Sequence, residues 1–578
     1  MMVINSAKIK FLIFTAINGL DKYHNKAKLI IPLIFVGYHF NCLSMKRFIL
    51  AFSLILSVLT GAIAQKKAPN DASPRLVVGI MVDQMRWDYL FRFQSRYGEK
   101  GFKRILREGF SSDNAFIPYA QTVTAAGHAS VYTGSVPAIN GIMGNDWYDR
   151  KLKREVYCVE DDSVFLVGSN GKGEPMSPKN LLTTTITDEL KLATNFRSKV
   201  IGVAIKDRGS ILPAGHTPDA AFWYDASSGN FVSSSWYMKS LSPWAKSFND
   251  RKMTDSLYKI KWSLSNQLAS YVQSDLGNQS LIKNPFPRNL EGNVGKNYGA
   301  ISSTPWGNTL TLAFSKAAIE AEQMGADSIP DFLAISLSSP DYIGHAFGPN
   351  SVEIEDTYLK LDEELASFFD YLDKKIGKGK YTFFMTADHA VAHVPAYMNE
   401  NRLPAKSMKA DKTAEEKTIK KFGLKKLVEA NANYQYYLDK TAIDSAGADF
   451  KKVKSFFIEE LNMLPEVLLA FDNENISAAN LPIEYKEMFI KGFNHKLGGD
   501  IQVVYNSGYF FGGATGTTHG SMYPYDSHIP LLWMGWGINQ GNSYKQVYMT
   551  DIASTLAALL HIQMPSGSVG KVITEVIK

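Results

Sequence analysis

The sequence has little cysteine, no internal repeat and, once its first residues are set aside, no excess of charge. Cys42 and Cys158 are the two cysteines of the 578 residues. Residues 1–64 contain seven of the 62 Lys and Arg and one of the 56 Asp and Glu, which leaves 55 of each. With one cysteine beyond residue 64, that part can form no intrachain disulfide, and its balanced charge gives no reason to expect nucleic acid or a membrane surface as a partner.

The apolar run at residues 29–36 is too short to cross a bilayer, and the residues before Met45 fit no export signal. Met45, Lys46 and Arg47 precede an apolar run at 48–59 and a small-residue Ala-Ile-Ala ending at residue 64, the order of a secretory signal. We expect residues 45–64 to be a signal peptide and the mature chain to begin near Gln65. That chain would be periplasmic and keep no stable membrane anchor. Residues 1–44 would be an extension upstream of the true start; the alternative is an authentic extension with an uncleaved anchor.

Several short apolar runs have the composition of strands that are buried on both faces of a parallel sheet. They are residues 76–82 (LVVGIMV), 200–205 (VIGVAI), 331–336 (DFLAIS), 381–385 (YTFFM) and 529–534 (IPLLWM). The sequence therefore predicts an α/β fold with one doubly wound, mostly parallel sheet flanked by helices.

Residues 65–578 are expected to form a single catalytic domain, because the candidate site residues described below come from both ends of this stretch. Two segments between the predicted strands are expected to be cap-type insertions. The first, at about 213–300, is rich in aromatic residues, and the second, at about 396–514, begins with a stretch rich in Lys and Glu.

Acidic and imidazole side chains follow three of the predicted strands, at the edge where open α/β sheets bind ligands. Asp83 follows the first strand, Asp341 and His345 follow the strand at 331–336, and Asp388 and His389 follow the strand at 381–385. Asp341 and His345 are spaced i and i+4, which one helical turn brings to the same face. Asp388 and His389 are neighbours and can share an ion only in a turn after their strand.

Each of these residues has an ordinary alternative explanation. A single Asp after a strand is commonly a helix cap or turn former, and any one of the eleven His can be structural. The ordered set, closed by His519 in a Thr-Thr-His-Gly segment, favours a pair of metal sites instead. Mixed carboxylate and imidazole ligands suit zinc, although ligand type alone leaves manganese and iron open.

Residues 122–134 (TVTAAGHASVYTG) lie between the first and second ligands, and this ordered set resembles a known family. The chain from about Leu76 onward is similar to the alkaline phosphatase superfamily, and most similar to the phosphate-irrepressible bacterial alkaline phosphatases. The resemblance implies that Thr124 is the nucleophile, is phosphorylated during the reaction and ligates a metal. It implies two zinc ions, and their ligands are Asp83, Asp388 and His389 beside Thr124, and Asp341, His345 and His519 on the leaving-group side.

Chemistry independent of the resemblance agrees with this assignment. A threonine hydroxyl is a poor nucleophile at neutral pH, and metal coordination is one way to activate it. Two ions roughly 4 Å apart can stabilise the attacking and the leaving oxygen of an in-line displacement. His128, four residues after Thr124, is expected to pack its helix against the sheet rather than to bind metal.

Two cations and an amide are the candidate substrate-binding residues. Lys206 and Arg208 follow the strand at 200–205, and an extended backbone would point both to one side. A guanidinium matches the geometry of phosphate oxygens, and lysine adds a point charge. In the resembling enzymes such a pair and an Asn bind the phosphoryl oxygens, and here the Asn is Asn145. The alternatives are a solvated loop for the pair and a turn residue for Asn145.

The leading prediction is an exported two-zinc alkaline phosphatase that releases inorganic phosphate from small phosphate monoesters. A phosphodiesterase or nucleotide pyrophosphatase of the same superfamily is an alternative that would have no use for Lys206 and Arg208. Two further classes of the superfamily fit the sequence less well. Phosphoethanolamine transferases carry several membrane helices, which the predicted mature chain lacks, and sulfatases need a Cys or Ser in place of Thr124. The alternative from another class is a non-catalytic metal- or phosphate-binding protein.

Overall fold

A computed structural model of the chain describes residues 73–169, 173–271, 284–512 and 516–578. Residues Asp71–Lys578 form one compact unit. The predicted extension, the predicted signal peptide and Cys42 lie outside the described residues. Cys158 is buried as a free thiol. No helix in the described part of the chain combines the length and the apolarity needed for a bilayer crossing.

The strands of the described residues are numbered here in chain order. They are β1 Leu76–Val82, β2 Phe110–Ser112, β3 Ala115–Phe116, β4 Asp146–Asp149, β5 Arg154–Tyr157, β6 Leu166–Val167, β7 Val200–Ala204, β8 Ala220–Asp225, β9 Asn230–Ser234, β10 Asp331–Leu337, β11 Tyr381–Thr386, β12 Lys406–Met408, β13 Val428–Ala432, β14 Gln435–Leu438, β15 Val467–Asp472, β16 Ile501–Tyr505, β17 Tyr509–Phe511, β18 His528–Ile529, β19 Leu531–Gly535, β20 Gly541–Ser543 and β21 Val547–Tyr548.

The α-helices are numbered in the same way. They are α1 Tyr89–Arg92, α2 Phe102–Glu108, α3 Thr124–Thr133, α4 Pro137–Asn140, α5 Ile186–Ala193, α6 Asp207–Ala214, α7 Pro243–Asp250, α8 Met253–Tyr258, α9 Trp306–Ala321, α10 Ser339–Phe347, α11 Val352–Leu372, α12 Pro395–Glu400, α13 Thr413–Phe422, α14 Lys440–Ser445, α15 Phe450–Asn462, α16 Ile483–Gly492, α17 Pro524–Ser527 and α18 Asp551–Leu560.

Ten strands form the central sheet, in the spatial order β20-β2-β19-β11-β1-β10-β7-β8-β9-β6. Its five middle strands, β11, β1, β10, β7 and β8, run parallel to one another. Antiparallel β19 joins β11 on one side, and antiparallel β9 joins β8 on the other. The predicted fold, a mostly parallel α/β sheet flanked by helices, is confirmed.

Helices cover both faces of the sheet. In the β7–β8 register Gly202 pairs with Ala221 and Val203 with Phe222, and successive residues of a strand point to opposite faces. A Cβ on Gly202 would lie 2.4 Å from the Ser210 carbonyl oxygen of α6. The Phe222 ring instead packs against Phe314 of α9, with centroids 5.1 Å apart. The central strands are thus shielded on both sides, as their apolar sequences require.

The carboxyl ends of β1, β10 and β11 lie together at one edge. Val82 pairs with Leu337 and Met81 with Thr386, so these strands end in near register. The segments that follow these three strands therefore begin side by side at this edge of the sheet. That edge receives Asp83, α10 and the Asp388 segment.

The first predicted insertion differs from the observed structure. Within residues 213–300, β8 and β9 belong to the central sheet. The reason is that the Ala-Ala-Phe-Trp-Tyr run of β8 is itself a buried strand, with Trp223 opposite Val232 of β9 inside the sheet. The aromatic residues of β8 therefore fill the core rather than a separate cap, although Trp236 in the same segment is exposed.

The second predicted insertion, 396–514, contains a separate four-stranded sheet in the order β13-β14-β16-β15. This sheet and helices α13 and α15 enclose a small apolar core that includes Leu427, Leu438, Val453 and Phe457. The Lys- and Glu-rich stretch that opens this segment contains the short strand β12 and the helix α13.

Candidate metal centre

The predicted nucleophile lies at the start of helix α3, which is seated against the end of β11. Thr124 is the first residue of this helix, and the helix ends at Gly134 in the left-handed conformation. A Cβ on Gly127 would lie 2.3 Å from the Asp388 carbonyl oxygen. The glycine therefore lets α3 approach closely enough for the Thr124 hydroxyl to face the Asp388–His389 turn.

Three of the predicted ligands meet beside Thr124. Asp83 Oδ1 and Asp388 Oδ2 are each 3.5 Å from His389 Nε2. Thr124 Oγ1 is also 3.5 Å from His389 Nε2. The three ligand atoms lie within 4.8 Å of one another and belong to buried residues, so one cation could contact all of them.

The other three predicted ligands form a second group beside the first. Helix α10 places Asp341 and His345 one turn apart, with Asp341 Oδ1 3.2 Å from His345 Nε2. The same carboxylate oxygen is 3.7 Å from His519 Nε2. The rings of His389 and His519 stack with centroids 3.4 Å apart. The ligand atoms of Asp341, His389 and His519 lie within 4.8 Å of one another, as a shared metal ion would require. His389 therefore lies between the two groups, and His345, with its side chain 37 % exposed, lies on the solvent side.

The three imidazoles are oriented by backbone carbonyl groups. Nδ1 of His345 donates to the Thr517 carbonyl oxygen at 2.8 Å, and Nδ1 of His389 donates to that of Ala390 at 3.0 Å. Nδ1 of His519 donates to the Thr122 carbonyl oxygen at 2.7 Å. Since a carbonyl can only accept, Nδ1 carries a proton in each ring, and in the neutral form of each ring the Nε2 lone pair is directed at the site.

The carboxylates have the chemistry of metal ligands. Asp83 Oδ1 and Asp388 Oδ2 are buried and receive no hydrogen bond from the described residues. Burial and the neighbouring Asp388 raise the pKa of Asp83 well above its usual range. Burial lowers the pKa of His389, and burial with the neighbouring His389 lowers that of His519 well below the usual range. Unpaired carboxylate oxygens beside neutral imidazoles are the donor set of a zinc-type site.

Lys206 connects the two ligand groups. Its Nζ donates to Asp83 Oδ2 at 2.7 Å, to Asp341 Oδ2 at 2.6 Å and to Thr124 Oγ1 at 3.4 Å. Burial alone would lower the pKa of Lys206, but Asp341 and Asp83 outweigh it and raise that pKa above its usual value. Burial would likewise raise the pKa of Asp341, but Lys206 and His345 outweigh it and hold that pKa well below its usual range. The lysine is therefore charged and lies within reach of the Thr124 hydroxyl.

Arg208 reaches the site differently from the way its sequence spacing predicts. The backbone after β7 is not extended through both cations: Lys206 immediately precedes α6, and Arg208 lies in the first turn of that helix. The extended i, i+2 argument is wrong here because Asp207 begins a helix. Arg208 NH1 donates to the Tyr157 hydroxyl at 2.9 Å, and that hydroxyl donates to Asp207 Oδ1 at 2.5 Å.

Asn145 lies beside the start of helix α3. Its Oδ1 accepts a hydrogen bond from the backbone N–H of Ala125 at 3.0 Å. The Asn145 side chain thus contacts the residue that directly follows Thr124 in the chain. Asn145 sits just before strand β4, whose partner β5 ends at Tyr157, so one hairpin carries both Asn145 and the residue that contacts Arg208.

Both ring nitrogens of His128 make hydrogen bonds within the fold. Its Nδ1 donates to the Thr124 carbonyl oxygen at 2.8 Å, and its Nε2 accepts from the Ser336 hydroxyl at 2.8 Å. Neither nitrogen is left for a metal, in agreement with its predicted packing role. The sequence reasoning did miss Gln84 and Tyr157, which contact site residues. The position of Gln84 directly after Asp83 was a usable signal, whereas nothing in the sequence links Tyr157 to Arg208.

Comparisons with known proteins agree with this arrangement. Residues 77–528 match the model of the family described as type I phosphodiesterase / nucleotide pyrophosphatase. Alkaline phosphatase PhoV of Synechococcus elongatus is 47% identical over 555 residues, which cover 92% of this chain and all of that protein. Alkaline phosphatase PafA of Elizabethkingia meningoseptica is 47% identical over 535 residues, or 90% of this chain and 97% of that protein. The chain belongs to the alkaline phosphatase superfamily.

The fold agrees as closely as the sequence does. The crystal structure of PafA matches this enzyme with a TM-score of 0.84, covering 88% of this chain and 99% of the other. A PafA variant substituted at a threonine, an asparagine, a lysine and an arginine matches with a TM-score of 0.83, 46% identity and the same coverage. The predicted family and the predicted enzyme class, an alkaline phosphatase, are confirmed.

Proposed function

We propose that this alkaline phosphatase is an exported enzyme that hydrolyses small phosphate monoesters through a phosphothreonine at Thr124, with two zinc ions as cofactors. The observation that carries the proposal is the pair of ligand groups that converge beside the Thr124 hydroxyl. The signal-like sequence at 45–64 supports a periplasmic location. The natural ester would be a small phosphate monoester and not a nucleic acid, because the charge of the chain beyond residue 64 is balanced.

The chain's own residues suit an in-line transfer. The Thr124 oxygen would form a bond to phosphorus while the ester bond to the alcohol breaks, and water would then release inorganic phosphate and restore the hydroxyl. Bound zinc would supply activation of the threonine oxygen and stabilisation of the leaving oxygen. Thr124 lies beside the deeply buried Asp83–Asp388–His389 group, whereas the Asp341–His345–His519 group has a solvent-exposed member. The leaving alcohol would therefore depart on the His345 side.

The charged and polar neighbours of Thr124 suit a phosphoryl group. Lys206 contacts the Thr124 hydroxyl, and Asn145 contacts the backbone of Ala125. Arg208 lies in the first turn of α6, just after Lys206, and contacts Tyr157. The PafA variant described above alters the same four residue types in the same order along the chain. We assign these three residues to the non-bridging phosphoryl oxygens. The name of the matching family keeps phosphodiester hydrolysis as the alternative activity.

Thr124→Ala should lower phosphatase turnover by several orders of magnitude and abolish covalent phosphorylation, because no side-chain oxygen remains to attack. Metal content should be largely retained, since six other ligands remain. Steady-state rates and mass spectrometry of acid-quenched enzyme measure the two effects. Thr124→Ser is the matched control and should keep substantial activity, because it keeps the hydroxyl. Near-normal turnover of the alanine variant would remove Thr124 from the mechanism.

Chelation should remove about two zinc ions per chain together with all activity, and zinc should restore activity. His345→Ala should weaken only the more exposed ion, while His389→Ala should weaken the ion beside Thr124. Elemental analysis after graded chelation measures both, with the exposed His495→Ala as a control that should retain both ions. A single ion per active chain, or iron alone, would contradict the assignment.

Replacing both Lys206 and Arg208 by Ala should lower kcat/KM for a phosphate monoester by roughly a hundredfold or more, because each charge-assisted hydrogen bond contributes about 1.5–3 kcal/mol. Diester hydrolysis should hardly change, since a diester carries one fewer charged oxygen. Rates on the matching monoester and diester at saturating zinc measure the difference.

One single variant and one double control sharpen that comparison, because Lys206 also pairs with Asp83 and Asp341. Arg208→Ala leaves those pairs intact and should by itself favour the diester relative to the parent enzyme. Lys409→Ala combined with Arg402→Ala, two exposed cations elsewhere, should change neither rate. Equal losses on both substrates would show that the pair supports the fold or the ligands rather than recognising the monoester.

A further inference from the structure

Gln84 connects the two ligand groups through the end of strand β1. Its backbone N–H donates to Asp388 Oδ1 at 3.1 Å, and its side-chain Nε2 donates to Asp341 Oδ1 at 2.6 Å. The residue is 2 % exposed. One buried residue thus contacts a carboxylate from each group, and it directly follows Asp83 in the chain.

The position of this side chain is enforced by its surroundings. Gln84 has a φ of 65°, a left-handed conformation that is uncommon for residues other than glycine and costs conformational energy. A Cβ on Gly344 of helix α10 would lie 1.8 Å from Gln84 Oε1. The amide therefore occupies space that only a glycine in α10 leaves open. A strained backbone and a matching glycine indicate a required position rather than chance packing.

The amide does something that a charged residue could not do equally well. Lys206 already neutralises Asp341 through Oδ2, and Gln84 donates to Oδ1 without adding charge. A carboxylate oxygen can accept that bond and keep a second lone pair. The remaining lone pair of Oδ1 is free to face the Nε2 atoms of His345 and His519, which lie 3.2 and 3.7 Å away.

We propose that Gln84 is a positioning residue that holds the Asp341 carboxylate in its metal-binding orientation and fixes its place relative to the Asp83–Asp388 group. The inference rests on the two-metal site proposed above. Outer hydrogen-bond partners of metal ligands commonly account for roughly 10–100-fold in metal affinity or activity. The side chain of Gln84 should therefore affect the affinity of the ion at the Asp341–His345–His519 group. Its backbone hydrogen bond to Asp388 remains in every variant at this position.

Gln84→Asn is the discriminating variant. Asparagine tolerates the left-handed backbone and keeps an amide, but it is one methylene shorter and cannot reach Asp341. We expect the ion at the Asp341–His345–His519 group to be released roughly 10–100-fold more readily in competition with a zinc chelator. Release of the other ion and the Tm of the metal-free protein should stay unchanged. Gln323→Asn is the matched control, because Gln323 also has a left-handed backbone, with φ 52°, and is exposed away from the site.

Gly344→Ala tests the same idea without altering Gln84. Alanine favours a helix more than glycine does, yet its Cβ must displace the Gln84 amide. The metal-free protein should be as stable as the parent or more stable, while the same ion is held more weakly. The weakened ion is identified by comparing its release with that in His345→Ala, a variant that lacks one predicted ligand of the ion at the Asp341–His345–His519 group.

Unchanged release of both ions in Gln84→Asn would overturn the inference, and so would equal weakening of both ions together with a lowered Tm. The unaltered enzyme is measured in the same series. If it binds fewer than two ions, the proposed two-metal function fails and takes this inference with it. If it binds two, a negative result belongs to Gln84 alone.

Discussion

Three carboxylates buried in one small volume repel one another, and the centre of this enzyme is organised around that repulsion. Asp83, Asp341 and Asp388 are all less than 5 % exposed. Burying an unpaired charge costs several kcal/mol, and like charges nearby add to that cost. Lys206 offsets one negative charge, and two of the carboxylate oxygens receive no hydrogen bond from the part of the chain that the structure describes. Divalent cations would offset the remainder, so a folded centre of this composition favours metal binding.

The fold makes this concentration of charge possible. Parallel strands that end in register deliver the three acids to one edge, and the buried sheet behind them holds the strand ends in place. Gly127 lets the helix that begins at Thr124 approach, Gly344 leaves room for the Gln84 amide, and backbone carbonyls orient the histidines. The catalytic geometry therefore depends on main-chain contacts and on the absence of side chains at two positions, as much as on the ligands themselves.

The strands and the helix that follow from local sequence patterns could be predicted from the sequence. Apolar runs located β1, β7, β10, β11 and β19, and the i, i+4 spacing of Asp341 and His345 predicted their shared helix. The sheet position of β8 was missed because its aromatic residues were interpreted as a cap, although each of them is buried in the core. The helical start at Asp207 was missed because two cations two residues apart suggested an extended backbone.

Contacts between segments far apart in the chain could not be predicted from the sequence. The approach of Gln84 to Asp341 depends on a left-handed backbone and on a glycine 260 residues away in the chain. The contact of Tyr157 with Arg208 depends on how a hairpin docks against α6. Such contacts are set by tertiary packing rather than by propensity or spacing, so a single sequence carries no direct signal for them.

Anomalous X-ray diffraction at the zinc absorption edge, on crystals of the zinc-loaded enzyme, tests the central claim most directly. The account predicts two peaks of similar height roughly 4 Å apart. One should lie at bonding distance from Asp83, Asp388 and His389, and the other from Asp341, His345 and His519. A single peak, or a peak that excludes either of these carboxylate groups, would contradict the account.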